Sequence, residues 1–196
     1  MSENEPFLFV HFCLMAALPG PEIGWYSNTL VKRGYAQAVP VGLGILLARL
    51  LVLAVILGLP PETFRFLETL PNGWGAYFIV AGIAMVVASL RSFNDAVQPQ
   101  FARKVTLGIL LTLTNPITLA SMYVVTAHAH GRRYEMDDPM QLLMHAVLGV
   151  LLALLVHGAL AALVRKILGP AMAARVMWIG LGLLSMASGV AVYLSR

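Results

Sequence analysis

Apolar residues run along this chain in long stretches separated by short polar or helix-breaking connections. About 20 apolar residues suffice for a helix to cross a bilayer, and six stretches reach that length. They are Phe7 to Leu30, Ala36 to Leu59, Gly73 to Arg91, Lys104 to Ala127, Met140 to Val164 and Met172 to Leu194. The connections carry turn and breaker residues: Lys32-Arg33-Gly34, Pro60-Pro61, Asn94 to Pro99, His128 to Pro139 and Gly169-Pro170. Only the fourth is long and polar. Nothing is left over for a soluble domain, so the pattern predicts one all-α transmembrane domain over 1–196.

Two of the six stretches are interrupted. Leu18-Pro19-Gly20-Pro21 falls in the first and Thr114-Asn115-Pro116 in the fourth. Proline lacks a backbone donor and clashes with the preceding turn, so each cluster should break its helix. At membrane depth the freed backbone groups are tolerated only where protein or a polar cavity satisfies them. The two breaks occupy corresponding places. Gly44-Ile-Leu-Leu-Ala-Arg-Leu-Leu in the second stretch resembles Gly149-Val-Leu-Leu-Ala-Leu-Leu-Val in the fifth, each downstream of a break. The order of break, loop, Gly-Leu-rich helix and Gly-containing third helix therefore occurs twice, over about 6–93 and 101–196. With three spans per half, the second half enters the membrane from the opposite side, as in inverted-repeat transporters.

Composition strengthens the membrane assignment. The chain is 59% hydrophobic and 11% charged, far from a soluble domain. Its net charge of +4 sits in scattered short loops rather than in a basic patch with interleaved aromatics, which argues against nucleic acid. The positive charge reads instead as topology. Loops one, three and five hold Lys32, Arg33, Arg91, Arg103, Lys104, Arg165, Lys166 and Arg175, against Arg65, Arg132, Arg133 and Arg196 opposite. That bias places those loops in the cytoplasm and both termini outside. The start of the chain is acidic, not the positive n-region of a secretory signal, so the first helix is expected to be retained. Cys13 stands alone in the sequence and reads as packing, which leaves disulfides, CxxC redox motifs and thiolate metal sites unsupported.

The breaks also hold the candidate chemistry. Gly20 suits a helix cap and Pro21 the first helical position, so the amides of Glu22, Ile23 and Gly24 would point unpaired into the first break. Asn115 suits a cap with Pro116 behind it, leaving the amides of Ile117 and Thr118 to do the same in the second. If the halves are inverted, these two positive helix ends meet and favour an anionic group. The competing reading is a pair of plain proline kinks. Glu22 is a carboxylate inside a span, which makes it a default functional candidate able to exchange a proton or to bind an ammonium group. Arg49 lies mid-span and needs a partner; Glu22, in a structural ion pair, and a substrate carboxylate are the alternatives. His157 is a candidate proton relay, although such residues are more often satisfied interhelical contacts. His11 and His145 also lie in spans, and His128 and His130 precede Asp137 and Asp138 in the outer loop with a spacing of low metal specificity. No HExxH, GxSxG, Walker loop or paired-cysteine motif is present, so neither an enzyme nor a cofactor is expected.

Leu18-Pro-Gly-Pro-Glu22, followed by Lys32-Arg-Gly-Tyr-Ala-Gln-Ala-Val-Pro-Val-Gly-Leu-Gly44, resembles the opening signature of the lysine-exporter and threonine-efflux (LysE/RhtB-type) family. Tyr77 to Gly82 resembles that family's third helix, and Gly108 with Leu113-Thr114-Asn115-Pro116 its fourth. The resemblance covers nearly the whole chain. It implies a six-helix exporter in the bacterial inner membrane that moves amino acids outward, driven by the proton gradient or the membrane potential. Its expected partners are a small-molecule amino acid and the lipid bilayer, and a homodimer is compatible with such a chain. Substrate binding would fall to Gly20, Pro21, Glu22, Ile23, Arg49, Asn115, Pro116 and Ile117, and proton coupling to Glu22 and His157. Three departures point to an altered substrate: Glu22 replaces the usual aspartate, Ile117-Thr118 stands where Lys-Ala is frequent, and Arg49 stands where a polar residue or histidine is frequent. A metal-ion or other inorganic exporter of the same superfamily and a non-transporting membrane subunit are the alternative expectations.

Overall fold

The computed structural model describes residues 10, 13, 20–58, 71–90, 100–115, 118 and 139–194, and the regular structure among them is all helical. The helices are α1 Pro21–Arg33, α2 Tyr35–Gly58, α3 Pro71–Leu90, α4 Phe101–Leu113 and α5 Pro139–Leu194. Most of the first expected span before Gly20, the loops around Pro60 and Asn94, and the connection from His128 to Asp138 lie outside the described residues. So do Pro116, Ile117 and His11.

Glycine and proline set the boundaries. Gly20 caps α1 in an extended conformation (φ −112°, ψ 172°), and Pro21 takes the first helical position, where an absent N–H costs nothing. At the other end Gly34 adopts φ 83°, a region open to glycine, and its amide donates to the Leu30 carbonyl at 2.8 Å. Arg165 Nη1 donates to the same carbonyl at 3.4 Å, a positive group at the negative end of a helix. The expected loop at Lys32-Arg33-Gly34 thus shrinks to one non-helical residue between α1 and α2. The connection expected at Gly169-Pro170 is also a corner rather than a loop. Gly169 turns at φ 74°, ψ 166°, and helix resumes at Pro170, dividing α5 into arms 139–168 and 170–194.

Close backbone crossings hold the helices together. A Cβ at Gly44 of α2 would overlap the Val105 carbonyl of α4, and one at Gly108 would lie 2.5 Å from the Val41 carbonyl. Lys104, buried at the start of α4, donates to Gln37 Oε1 of α2 beside this crossing. A second crossing joins α3 to the second arm of α5 and is reciprocal. A Cβ at Gly82 would lie 2.5 Å from the Gly182 carbonyl, and one at Gly182 would lie 2.7 Å from the Gly82 carbonyl. Ser185 Oγ ties the same pair through the Phe78 carbonyl at 2.8 Å.

The α1 helix is the centre of the molecule. Its Ile23, Leu30 and Val31 pack in one core with Val41 and Ile45 of α2, Val150 and Leu154 of the first arm of α5, and Trp178 of the second. The Trp178 ring lies so close to Gly24 that a Cβ there would sit 2.7 Å from it. The outward faces are as apolar as the core. On α2, Val39, Leu43, Leu47, Leu51 and Val55 are exposed at four-residue intervals, and Leu148, Leu152, Leu155 and Leu163 are exposed along the first arm of α5. Among the described residues, α2 and the stretch Leu143–Ala191 within α5 are long and apolar enough to cross a membrane, while α3 carries a shorter apolar stretch, Gly75–Ser89.

The crossings make a stability prediction. Gly44→Val drives a branched side chain into the α4 backbone and should destabilise the protein by about 1–3 kcal/mol. Gly180→Ala faces open space and should stay within about 0.5 kcal/mol of the parent. Thermal unfolding in detergent compares the two, and equal melting would refute the crossing.

Candidate functional site

The start of α1 and the turn after α4 meet around one carboxylate. Glu22, in the first turn of α1, has no exposed surface (0%), and Arg49 of α2 (4%), Asn115 (2%) and Thr118 (2%) converge on it. Arg49 Nη2 donates to Glu22 Oε1 at 3.3 Å. Asn115 Nδ2 lies 3.0 Å from both carboxylate oxygens, and Thr118 Oγ1 donates to Oε1 at 3.4 Å. Removing a carboxylate from water is costly unless it is paired and hydrogen-bonded, and here an arginine, an amide and a hydroxyl perform that task together.

The local sequence explains the approach. A residue before proline is pushed out of the helical region, so α4 cannot continue through Asn115 into Pro116. Thr114 closes the helix, its amide donating to the Leu110 carbonyl at 2.9 Å and its Oγ1 to the same oxygen at 2.8 Å. Asn115 is thereby turned out of the helix, and its side-chain amide reaches across to α1. On the opposite side Gly20 makes room. A Cβ there would overlap the Glu22 carboxylate and lie 2.5 Å from Asn115 Nδ2.

Some expectations about the breaks need correcting. The Gly24 amide does not point unpaired into the first break, because it donates to the Gly20 carbonyl at 3.0 Å. The Thr118 amide likewise donates to the Asn115 carbonyl at 3.0 Å, closing a turn. The anion at the meeting point is the chain's own Glu22. Of the alternatives for Arg49, the ion pair with Glu22 is the one present. Among the other expected site residues, Pro21 opens α1 and Ile23 points into the hydrophobic core. His157 is buried on the first arm of α5, next to Gly158, which packs against Tyr26, whereas the carboxylate cluster is built from α1, α2 and the turn after α4.

Some buried polar groups are not evident from sequence reasoning. At the site, the Thr118 hydroxyl is one; its spacing of three from Asn115 puts both on the same turn, which is a usable signal. Further along α1, Ser27-Asn28-Thr29 sets three consecutive polar residues in the buried interior. Among the described residues, Ser27 Oγ, Asn28 Oδ1 and Arg49 Nε are buried and accept or donate no hydrogen bond. No group of three His, Cys, Asp or Glu side chains converges among the described residues. No protein-family model, characterised protein or solved structure matches the chain.

The pair should be strongly non-additive. Glu22→Ala leaves Arg49 buried without a counter-charge and should cost about 3–5 kcal/mol, whereas the double variant Glu22→Ala/Arg49→Leu removes both charges and should recover most of that loss. Unfolding of both variants in detergent measures the difference. Equal losses would mean that the two side chains are not energetically joined.

Proposed function

We propose that this chain is a secondary active transporter that exports amino acids or related small zwitterions, working by alternating access around the Glu22–Arg49 cluster. One observation carries the reading. A buried ion pair, with an amide and a hydroxyl around it, sits where the start of α1 meets the turn after α4, the two points that the sequence marks as helix breaks, and inverted-repeat transporters bind their cargo at such breaks. The resemblance to the lysine-exporter and threonine-efflux family points to the same function and supplies the outward direction.

The architecture that goes with this reading is six spans in two inverted three-helix repeats. Its support is the order of break, loop and Gly-Leu-rich helix that occurs in each half of the sequence. The apolar outer faces of α2, α3 and α5 fit a bilayer better than water, because contiguous exposed apolar surface on this scale marks a membrane or partner surface. We place the protein in the bacterial inner membrane, with Lys32, Arg33, Arg165 and Arg175 toward the cytoplasm. Coupling is to the proton gradient or the membrane potential, with Glu22 as the group that either holds the cargo ammonium or takes a proton. Export of a metal ion gains no support from the described residues, which offer no ligand cluster.

A static ion pair in a non-transporting subunit is the reading to be separated, because the observed Glu22–Arg49 contact alone would serve it as well. Inside-out vesicles loaded from a panel of labelled amino acids, with and without a proton gradient, make the separation. The expected result is saturable, gradient-dependent transport of at least one amino acid, falling to background in Glu22→Gln while the protein remains inserted. Unchanged gradient-dependent transport in that variant would eliminate the coupling role, and no flux of any amino acid would eliminate the export reading.

A further inference from the structure

The Glu22–Arg49 pair is underfilled. A guanidinium presents five N–H donors, and arginine pairs with carboxylates most often through two parallel bonds at about 2.7–2.9 Å. Here a single contact at 3.3 Å joins them, through Nη2 alone. Arg49 Nε, on the same edge of the guanidinium as Nη2, is buried and makes no hydrogen bond. A buried charged donor left without an acceptor is costly and calls for a reason. The carboxylate is unevenly served as well. Oε1 receives Arg49, Asn115 and Thr118, whereas Oε2 receives the Asn115 amide that it shares with Oε1.

Resting on the export reading, we infer that the pair is the resting occupant of a zwitterion site and that cargo enters by splitting it. The cargo carboxylate takes the Nε–Nη2 edge of Arg49 as a two-bond partner, and the cargo ammonium takes Glu22, with Asn115 and Thr118 still donating to the Glu22 carboxylate. Charge balance selects this class of ligand. The resting pair is neutral and a zwitterion is neutral, so its entry adds no net charge to a site with almost no exposed surface. A lone amine or a lone carboxylate would leave one charge buried without compensation, which costs several kcal/mol. Both charges of the cargo are therefore required, and Arg49 is the residue that fixes the requirement for a carboxylate.

Ligand-induced stabilisation of the purified protein in lipid nanodiscs tests this without relying on flux. Each proteinogenic amino acid with an uncharged side chain is compared with the amine left by removing its backbone carboxylate and the acid left by removing its backbone amino group; for leucine these are isoamylamine and isocaproate. At least one amino acid should raise Tm, and its amine and acid should not. Glu22→Gln should then be stabilised by the acid rather than by the amino acid, and Arg49→Gln by the amine, a change of selectivity that a purely structural pair would not produce. Arg49→Lys keeps the charge but lacks the Nε–Nη2 edge, so it serves where the neutral variants fail to fold. It should need about tenfold more amino acid for the same rise in Tm. Stabilisation of the parent by the amine or acid alone, no stabilisation by any amino acid, or an Arg49→Lys response equal to the parent's would each overturn the inference. Binding as described without export would instead overturn the transport reading and leave the zwitterion site standing.

Discussion

A carboxylate with no surface in water organises this molecule. Glu22 cannot be left alone in an apolar interior, because an unpaired ion there costs far more than any one packing contact returns. Each neighbouring element therefore brings something to it: α2 a guanidinium, the turn after α4 an amide and a hydroxyl, and the cap of α1 an absence of side chain at Gly20. Those groups come from places far apart in sequence, so the charge fixes how α1, α2 and α4 can be arranged. Apolar packing alone, being non-directional, would permit many registers of these helices.

Close approach is the condition that lets the polar groups reach. Side chains as short as Asn115 and Thr118 span only a few ångströms, and they touch Glu22 because α2 and α4 meet backbone to backbone at Gly44 and Gly108. Small residues at crossings are what lets two helix backbones approach this closely. The crossing of α3 with the second arm of α5 follows the same rule through Gly82 and Gly182. Its Trp178 then fills the notch at Gly24, so the helix that carries Glu22 is braced from the side opposite to its polar contacts.

Much of this was legible in the residues. The apolar lengths gave α2 within a residue at each end, because the long apolar stretch outweighs its one breaker, Pro40, which falls near the start of the helix. Pro21 and Pro116 marked the breaks through the chemistry of the imide ring. Glu22 and Arg49 stood out because charges inside apolar runs are rare. The pairing of Asn115 with Glu22 was beyond reach, since a one-dimensional pattern carries no distance between segments 93 residues apart. Local rules also misassigned the amides of Gly24 and Thr118. They treat a helix start as a row of open donors, whereas the chain closes a turn wherever a carbonyl lies at the right height, as those of Gly20 and Asn115 do. The corners at Gly34 and Gly169 look like loops in sequence because a one-residue corner and a longer loop use the same glycine and proline residues.

The Gly34 corner has a mechanical consequence. With one residue between them, α1 and α2 form a stiff hairpin, and Glu22 and Arg49 sit on its two limbs, about 18 Å and 22 Å from the bend at 1.5 Å per residue. The two charges are therefore carried as a unit whenever the hairpin tilts, and the bonds strained first by a shift of α4 are those from Asn115 and Thr118. Because one hairpin carries both charges, parting Glu22 from Arg49 takes rotation about side-chain bonds, a local event, whereas a sliding of α4 against the hairpin parts Glu22 from Asn115 and Thr118 while leaving the ion pair whole.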